Sequence, residues 1–190
     1  MRWYNVRGLS IPNNEGHLPF HKSTSDETRL DIDRPNLAYF SYLDRLIPFA
    51  ASLGITLWLV PTWGRYITGG LQGGPVVFDR QNARSYGRFL GHRYPFHPWI
   101  VGGDTNRYWN PDTVACLDRG EDVIKLQVID YEPVFSAMVT GLKEGEEQAI
   151  MELDQENRAK AAQYETFITY HSTQGKLCKN ESSCHLQRAV

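Results

Sequence analysis

Three short apolar runs, each of strand length and each preceded by a stretch with helical periodicity, constrain this chain most. They are ITLWLVP at 55–61, PWIVG at 98–102 and TFITY at 166–170. Continuous apolar runs of this length read as strands covered on both faces. Before the first, residues 38–53 carry Phe40, Leu43, Leu46, Ile47, Ala50 and Leu53 at three-and-four spacing. That is an amphipathic helix, with Asp33 or Asn36 as its cap, Gly54 at its end and Pro48 as an internal kink. Before the second, Asp79 can cap a helix running to Tyr94, with Ala83, Tyr86, Phe89 and Leu90 on one side. Before the third, Asp130 opens a helix to about Leu142, followed by a polar, helical stretch from Gly145 to Gln163. Three strands each preceded by a helix indicate an α/β fold with a parallel sheet. A further strand is expected within Met1 to Ile11.

The chain of 190 residues suffices for one ordinary domain and not for two. Its 20 basic and 22 acidic residues nearly balance and form no long block, which argues against a nucleic-acid footprint or a polybasic membrane patch. No apolar run approaches the ~20 residues of a membrane span, and MRWYNVRGLS lacks the apolar core of a signal peptide. Cys116, Cys178 and Cys184 have no zinc spacing and read as isolated thiols. Gly69 to Gly74 lacks the Lys-Ser/Thr of a phosphate loop and reads as a mobile loop, so no cofactor is expected. His17 and His21 have i, i+4 spacing, but Pro19 breaks the helix that would align them, and no metal site is expected either.

Each strand ends in polar or aromatic chemistry. Pro61-Thr62-Trp63-Gly64 follows the first, Gly103-Asp104-Thr105-Asn106-Arg107 the second and His171-Ser172-Thr173 the third. In α/β folds ligands bind at the carboxyl ends of the strands, where the connections gather. The long connections 62–78 and 103–129 lie on that side. Asp104 is the one acid at these ends. It can serve as a proton donor whose pKa is raised by Trp63, Tyr108 and Trp109, or it can cap a turn with Thr105 and Asn106. Gly102 and Gly103 would leave a substrate room to approach. Trp63 reads as a stacking platform or a cover, and Arg107 as a ligand for a hydroxyl or carboxylate or as a partner of Asp104. His17 and His171 read as polar groups of a pocket or as solvent-facing histidines.

The segments PTWG, GPVVFDRQNARSYGRFLGHRY, WIVGGDTNRYWNP and ITYHSTQG, in this order, resemble the apiosidase-like glycoside hydrolases, a family also filed as domain of unknown function 4038 and related to glycoside hydrolase family 140. The resemblance runs over 8–183, leaving 184–190 as a non-matching tail. It implies a TIM (β/α)8 barrel of which this chain holds roughly strands two to five. It also implies a substrate that is an oligosaccharide or plant (pectic) polysaccharide, and Asp104 as the acid/base at the end of the fourth strand. Trp63, Asn106, Arg107, Tyr108, Trp109, His171 and His17 are then the residues expected to contact sugar. The family's second carboxylate, expected near the seventh strand, has no counterpart here: Glu132 and Glu165 do not sit at strand ends, and Glu15 lies in the IPNNEGH loop. The chain is therefore expected to be a fragment, inactive alone, with full-length relatives secreted and its own compartment and oligomeric state left open. A non-catalytic carbohydrate-binding remnant is the alternative. A flavodoxin-like binding module would need a phosphate loop and two more strands.

Overall fold

The computed structural model describes residues 9, 11–26, 29–69, 75–105, 108–109 and 129–172. The chain divides into two compact units, 1–58 and 59–190. The cysteines, the tail 184–190, most of the Gly69 to Gly74 loop and nearly all of the expected strand within Met1 to Ile11 lie outside the described residues.

In the first unit, β1 (Phe20–Lys22) and β2 (Leu30–Pro35) form an antiparallel pair that the apolar pattern does not announce. Only Phe20 and Ile32 of the pair are buried, so its alternation is too short to read. Helix α1 (Leu37–Ser52) follows as expected, with Asn36 as cap accepting from the Ala38 N–H at 3.1 Å and Gly54 just beyond its end at φ +73°. The apolar face is less covered than its spacing predicts. Phe40 and Ala50 are buried, whereas Leu46 and Leu53 are exposed.

The expected strand 55–61 is reduced to one residue. Leu59 makes an isolated parallel bridge to Trp99, its N–H donating to Pro98 and its carbonyl accepting from Ile100, both at 2.9 Å. Ile55, Trp58 and Val60 are exposed, contrary to a strand covered on both faces. Pro61 has no N–H with which to extend the ladder.

The second unit is organised around β3 (Trp99–Thr105) and β6 (Ile168–Ser172), which pair in parallel with Trp99 opposite Ile168 and Val101 opposite Tyr170. With Leu59 on the other edge, β3 is central, and all three segments run the same way. Two short strands, β4 (Tyr108–Trp109) and β5 (Ile129–Asp130), pair antiparallel. This is mixed α/β architecture in small sheets, and no closed barrel forms among the described residues.

After the Leu59 segment the chain forms the short helix α2 (Arg65–Thr68), whose Ile67 and Thr68 are fully buried. Helix α3 (Arg80–Arg93) starts as the sequence predicts. The Asp79 carboxylate accepts from the N–H groups of Gln81 and Asn82 at 2.8 and 2.9 Å, and Asn82 Oδ1 accepts in return from the Asp79 N–H. Such a reciprocal box satisfies donors that a helix start leaves unpaired. The expected break after Leu142 does not occur. Helix α4 runs unbroken over Glu132–Met151, and Asp154 then caps a separate α5 (Gln155–Ala161).

The reason is the crossing of α3 and α4. Gly87 and Gly91 on one helix and Gly141 and Gly145 on the other stand at i, i+4 spacing, each pair on a single face. A Cβ on Gly91 would lie 2.0 Å from the Leu142 carbonyl oxygen, one on Gly141 2.2 Å from the Arg84 oxygen and one on Gly145 2.1 Å from the Arg88 oxygen. The two backbones therefore touch directly. Contact with α3 fills the groove that Gly141 and Gly145 leave, so these glycines continue the helix instead of ending it.

Arg84 and Arg88 reach across this crossing to Glu144. Arg84 Nε lies 3.1 Å from both carboxylate oxygens and Arg88 Nη2 2.7 Å from one. Hydrogen bonds from Arg84, then from Arg88, lower the Glu144 pKa from the usual 4.5 to about 2. A carboxylate whose folded pKa is depressed contributes stability above its unfolded value and loses it as pH falls through the folded one. Because these groups meet solvent, Glu144→Gln is expected to cost about 1 kcal/mol or less at neutral pH. Urea denaturation at pH 7 and near pH 2 checks this: the gap between wild type and variant should close on acidification, and a widening gap contradicts it.

Candidate active site at the strand ends

The site is built from the turn after Leu59, the carboxyl end of β3 and the carboxyl end of β6. The register of β3 against β6 is regular through Val101 and Tyr170, then jumps to Thr105 opposite Ser172. Four steps on β3 match two on β6, so Gly102, Gly103 and Asp104 form a bulge. Gly102 has φ +78°, a left-handed conformation that L side chains rarely adopt, which explains why the apolar run stops at a glycine. Bulges are common beside active sites because they re-aim the residues they carry. Asp104 is the next-to-last residue of β3 and the last of this bulge.

The two glycines do not leave open space. A Cβ on Gly103 would lie 2.7 Å from the Trp63 ring, and one on Gly102 would lie 2.8 Å from Tyr170 and 3.0 Å from Phe135. Aromatic rings thus occupy the room that the sequence suggested for a substrate. Trp63 belongs to a stiff turn. Its carbonyl accepts from Tyr66 at 3.0 Å, and the N–H of Gly64 donates to the Gly103 carbonyl at 3.1 Å, tying this turn to the bulge. The Trp63 ring is half-buried and lies 6.1 Å from the His171 ring, inclined by 33°. Tyr170 meets Phe135 edge to face at 5.0 Å, and burial pushes its phenol pKa well above the usual 10, so it stays neutral at any working pH. Neither Tyr170 nor Phe135 was expected at the site. Their only sequence signal is an aromatic residue just before His171.

Of the expected residues, Trp63 and His171 are brought together, with the backbone of Asp104 next to Gly103 between the segments that carry them. Tyr108 and Trp109 form β4, and Asn106 and Arg107 lie outside the described residues. His17 belongs to the first unit, in a turn closed by Asn13, whose side-chain oxygen accepts from the N–H groups of Glu15 and His17 at 3.0 Å. Glu15 pairs with Arg45 of α1. His92 pairs with Glu152 at 2.9 Å, and the Glu132 carboxylate accepts from the Ser136 hydroxyl. Among the described residues no group of three His, Cys, Asp or Glu could hold a metal ion. No described helix is long and apolar enough to cross a membrane.

A cavity of about 770 Å³ lies along the flank of α4 and β6, lined by Phe135, Val139, Lys143, Phe167 and Tyr170 among others. Trp63 and His171 are not among its lining residues. The cavity and the strand-end site share Phe135 and Tyr170, the two rings that pack on Gly102.

Comparison with known families matches residues 2–188 to the family described as "Apiosidase-like, catalytic domain". Comparison with curated proteins gives no match.

Proposed function

The chain belongs to the apiosidase-like catalytic domain family, and from that premise we propose that it is a glycoside hydrolase domain acting on plant pectic glycans, with Asp104 as general acid/base. The reading takes the fold as part of a TIM barrel, roughly its strands two to five. The parallel pairing of Leu59 with β3 and of β3 with β6 supports that assignment. The observation that carries the function is the bulge at the carboxyl end of the central strand, where Asp104 follows the Gly103 that packs on Trp63.

Glycosidic bond cleavage needs one carboxyl group to protonate the leaving oxygen and a second to attack, or to activate water, from the opposite face. Asp104 takes the first role. In this reading Asn106, Arg107, Tyr108, Trp109 and His171 contact the sugar, the aromatic rings by stacking and Arg107 through its planar fork. No other residue at these three strand ends is acidic. That observation favours a second reading, a carbohydrate-binding domain that does not turn over.

Reducing-end release from pectic glycans, paired with retardation of the protein in native gels containing the same glycans, separates the two. In a protein that carries this domain together with the family's second carboxylate, release together with retardation is the expected result. Retardation without release supports the binding reading, and neither response overturns both.

A further inference from the structure

The two glycines before Asp104 are filled from opposite sides, Gly103 by Trp63 and Gly102 by Tyr170 and Phe135. A bend with no side chains of its own is thereby held between three aromatic rings. We infer that Trp63 and Tyr170 are positioning residues for Asp104: they clamp the Gly102–Gly103 bulge and so fix where the acid stands. The inference rests on Asp104 being the general acid.

The clamp has a physical basis in each part. Gly102 at φ +78° and the jump in strand register leave β3 without regular ladder bonds between Val101 and Thr105. Position there is set by packing and by the Gly64 N–H on the Gly103 carbonyl. The Trp63 ring has little freedom, since its backbone starts the buried α2 turn. Tyr170 is directed by its pairing in β6 and by its edge-to-face contact with Phe135. With either ring removed, the bulge can relax, and a displacement of about 1 Å at a reacting group costs on the order of 10²-fold in rate.

The test uses the active protein carrying Trp63→Ala, Trp63→Phe, Tyr170→Leu or Gly103→Ala, the last driving a methyl into the Trp63 ring. For a glycan with a poor leaving group, kcat should fall about 10²-fold in Trp63→Ala, Tyr170→Leu and Gly103→Ala while KM changes less than about threefold. Trp63→Phe should recover most of the loss. An activated aryl glycoside, which needs little protonation, should lose less than about tenfold. If Trp63→Ala instead raises KM on both substrates with kcat kept, Trp63 is a sugar-stacking platform and the inference fails. Carbon NMR of the Asp104 carboxyl and of the Gly102 and Gly103 carbonyls gives a readout that does not need turnover: their chemical shifts should move in Trp63→Ala and stay near wild type in Trp63→Phe, and unmoved shifts in Trp63→Ala overturn the clamp. Asp104→Asn measured in parallel separates the two failures, because equal loss on both substrates there removes the acid role itself whatever the ring variants do.

Discussion

Gly91→Ala is expected to destabilise the protein by about 2–4 kcal/mol, a large share of the ~5–15 kcal/mol that holds a domain folded. The sign is what makes the prediction sharp. At an ordinary helix position alanine is better than glycine by about 1 kcal/mol. Here the added carbon would meet the Leu142 carbonyl oxygen at 2.0 Å and the Leu142 carbonyl carbon at 2.8 Å, both main-chain atoms. A side chain can rotate away from such a contact, whereas the backbone of α4 cannot. The helices must separate, and the buried seam of Ala83, Tyr86, Leu90, Met138 and Leu142 loosens along its length. Chemical denaturation followed by circular dichroism measures the loss, with Ser85→Ala on the exposed side of α3 expected to stay within ~0.5 kcal/mol. The double variant Gly91→Ala/Gly141→Ala should cost less than the sum of the two, because the helices move apart only once. A rise in stability for Gly91→Ala would show that the crossing is not as close as described.

Part of this architecture is legible in the sequence because the signals are local. Asp79 and Asn82 announce the start of α3 by bonding to groups within three residues, and Gly54 marks the end of α1 by a backbone angle. The parallel relation of β3 to β6 follows from helix and strand alternation alone. What is not legible depends on partners far away in the chain. The run 55–61 has a strand's composition, but whether it becomes a strand is decided by neighbours for its edges, and Leu59 alone finds one. Gly141 and Gly145 look like helix breakers until Gly87 and Gly91 are placed against them. Gly102 and Gly103 look like clearance for a substrate, and only the fold reveals that Tyr170, some seventy positions later, and Trp63, some forty positions earlier, fill them. Asp104 draws attention in the sequence because an acid after a buried strand needs a reason. The bulge that places it was not, since it is a mismatch between two strands and neither carries it alone.

Asp104→Asn is expected to reduce hydrolysis of glycans with poor leaving groups by about 10²–10⁴-fold, the usual contribution of a positioned general acid. Asparagine keeps the size of the side chain and removes the proton it can give, so folding should be unchanged by thermal melting. Activated aryl glycosides leave without a proton and should be affected less, by about tenfold or below. The pH dependence follows with a definite sign. The acid must be protonated to act, so kcat/KM of the wild type falls as pH rises through its pKa in the free protein. This alkaline limb should be absent from what activity remains in Asp104→Asn. A limb that persists in the variant belongs to another group, and equal losses on both classes of substrate remove the proton-donor role. In either case Asp104 reverts to the other function its position permits, that of an acid capping the turn after a bulged strand.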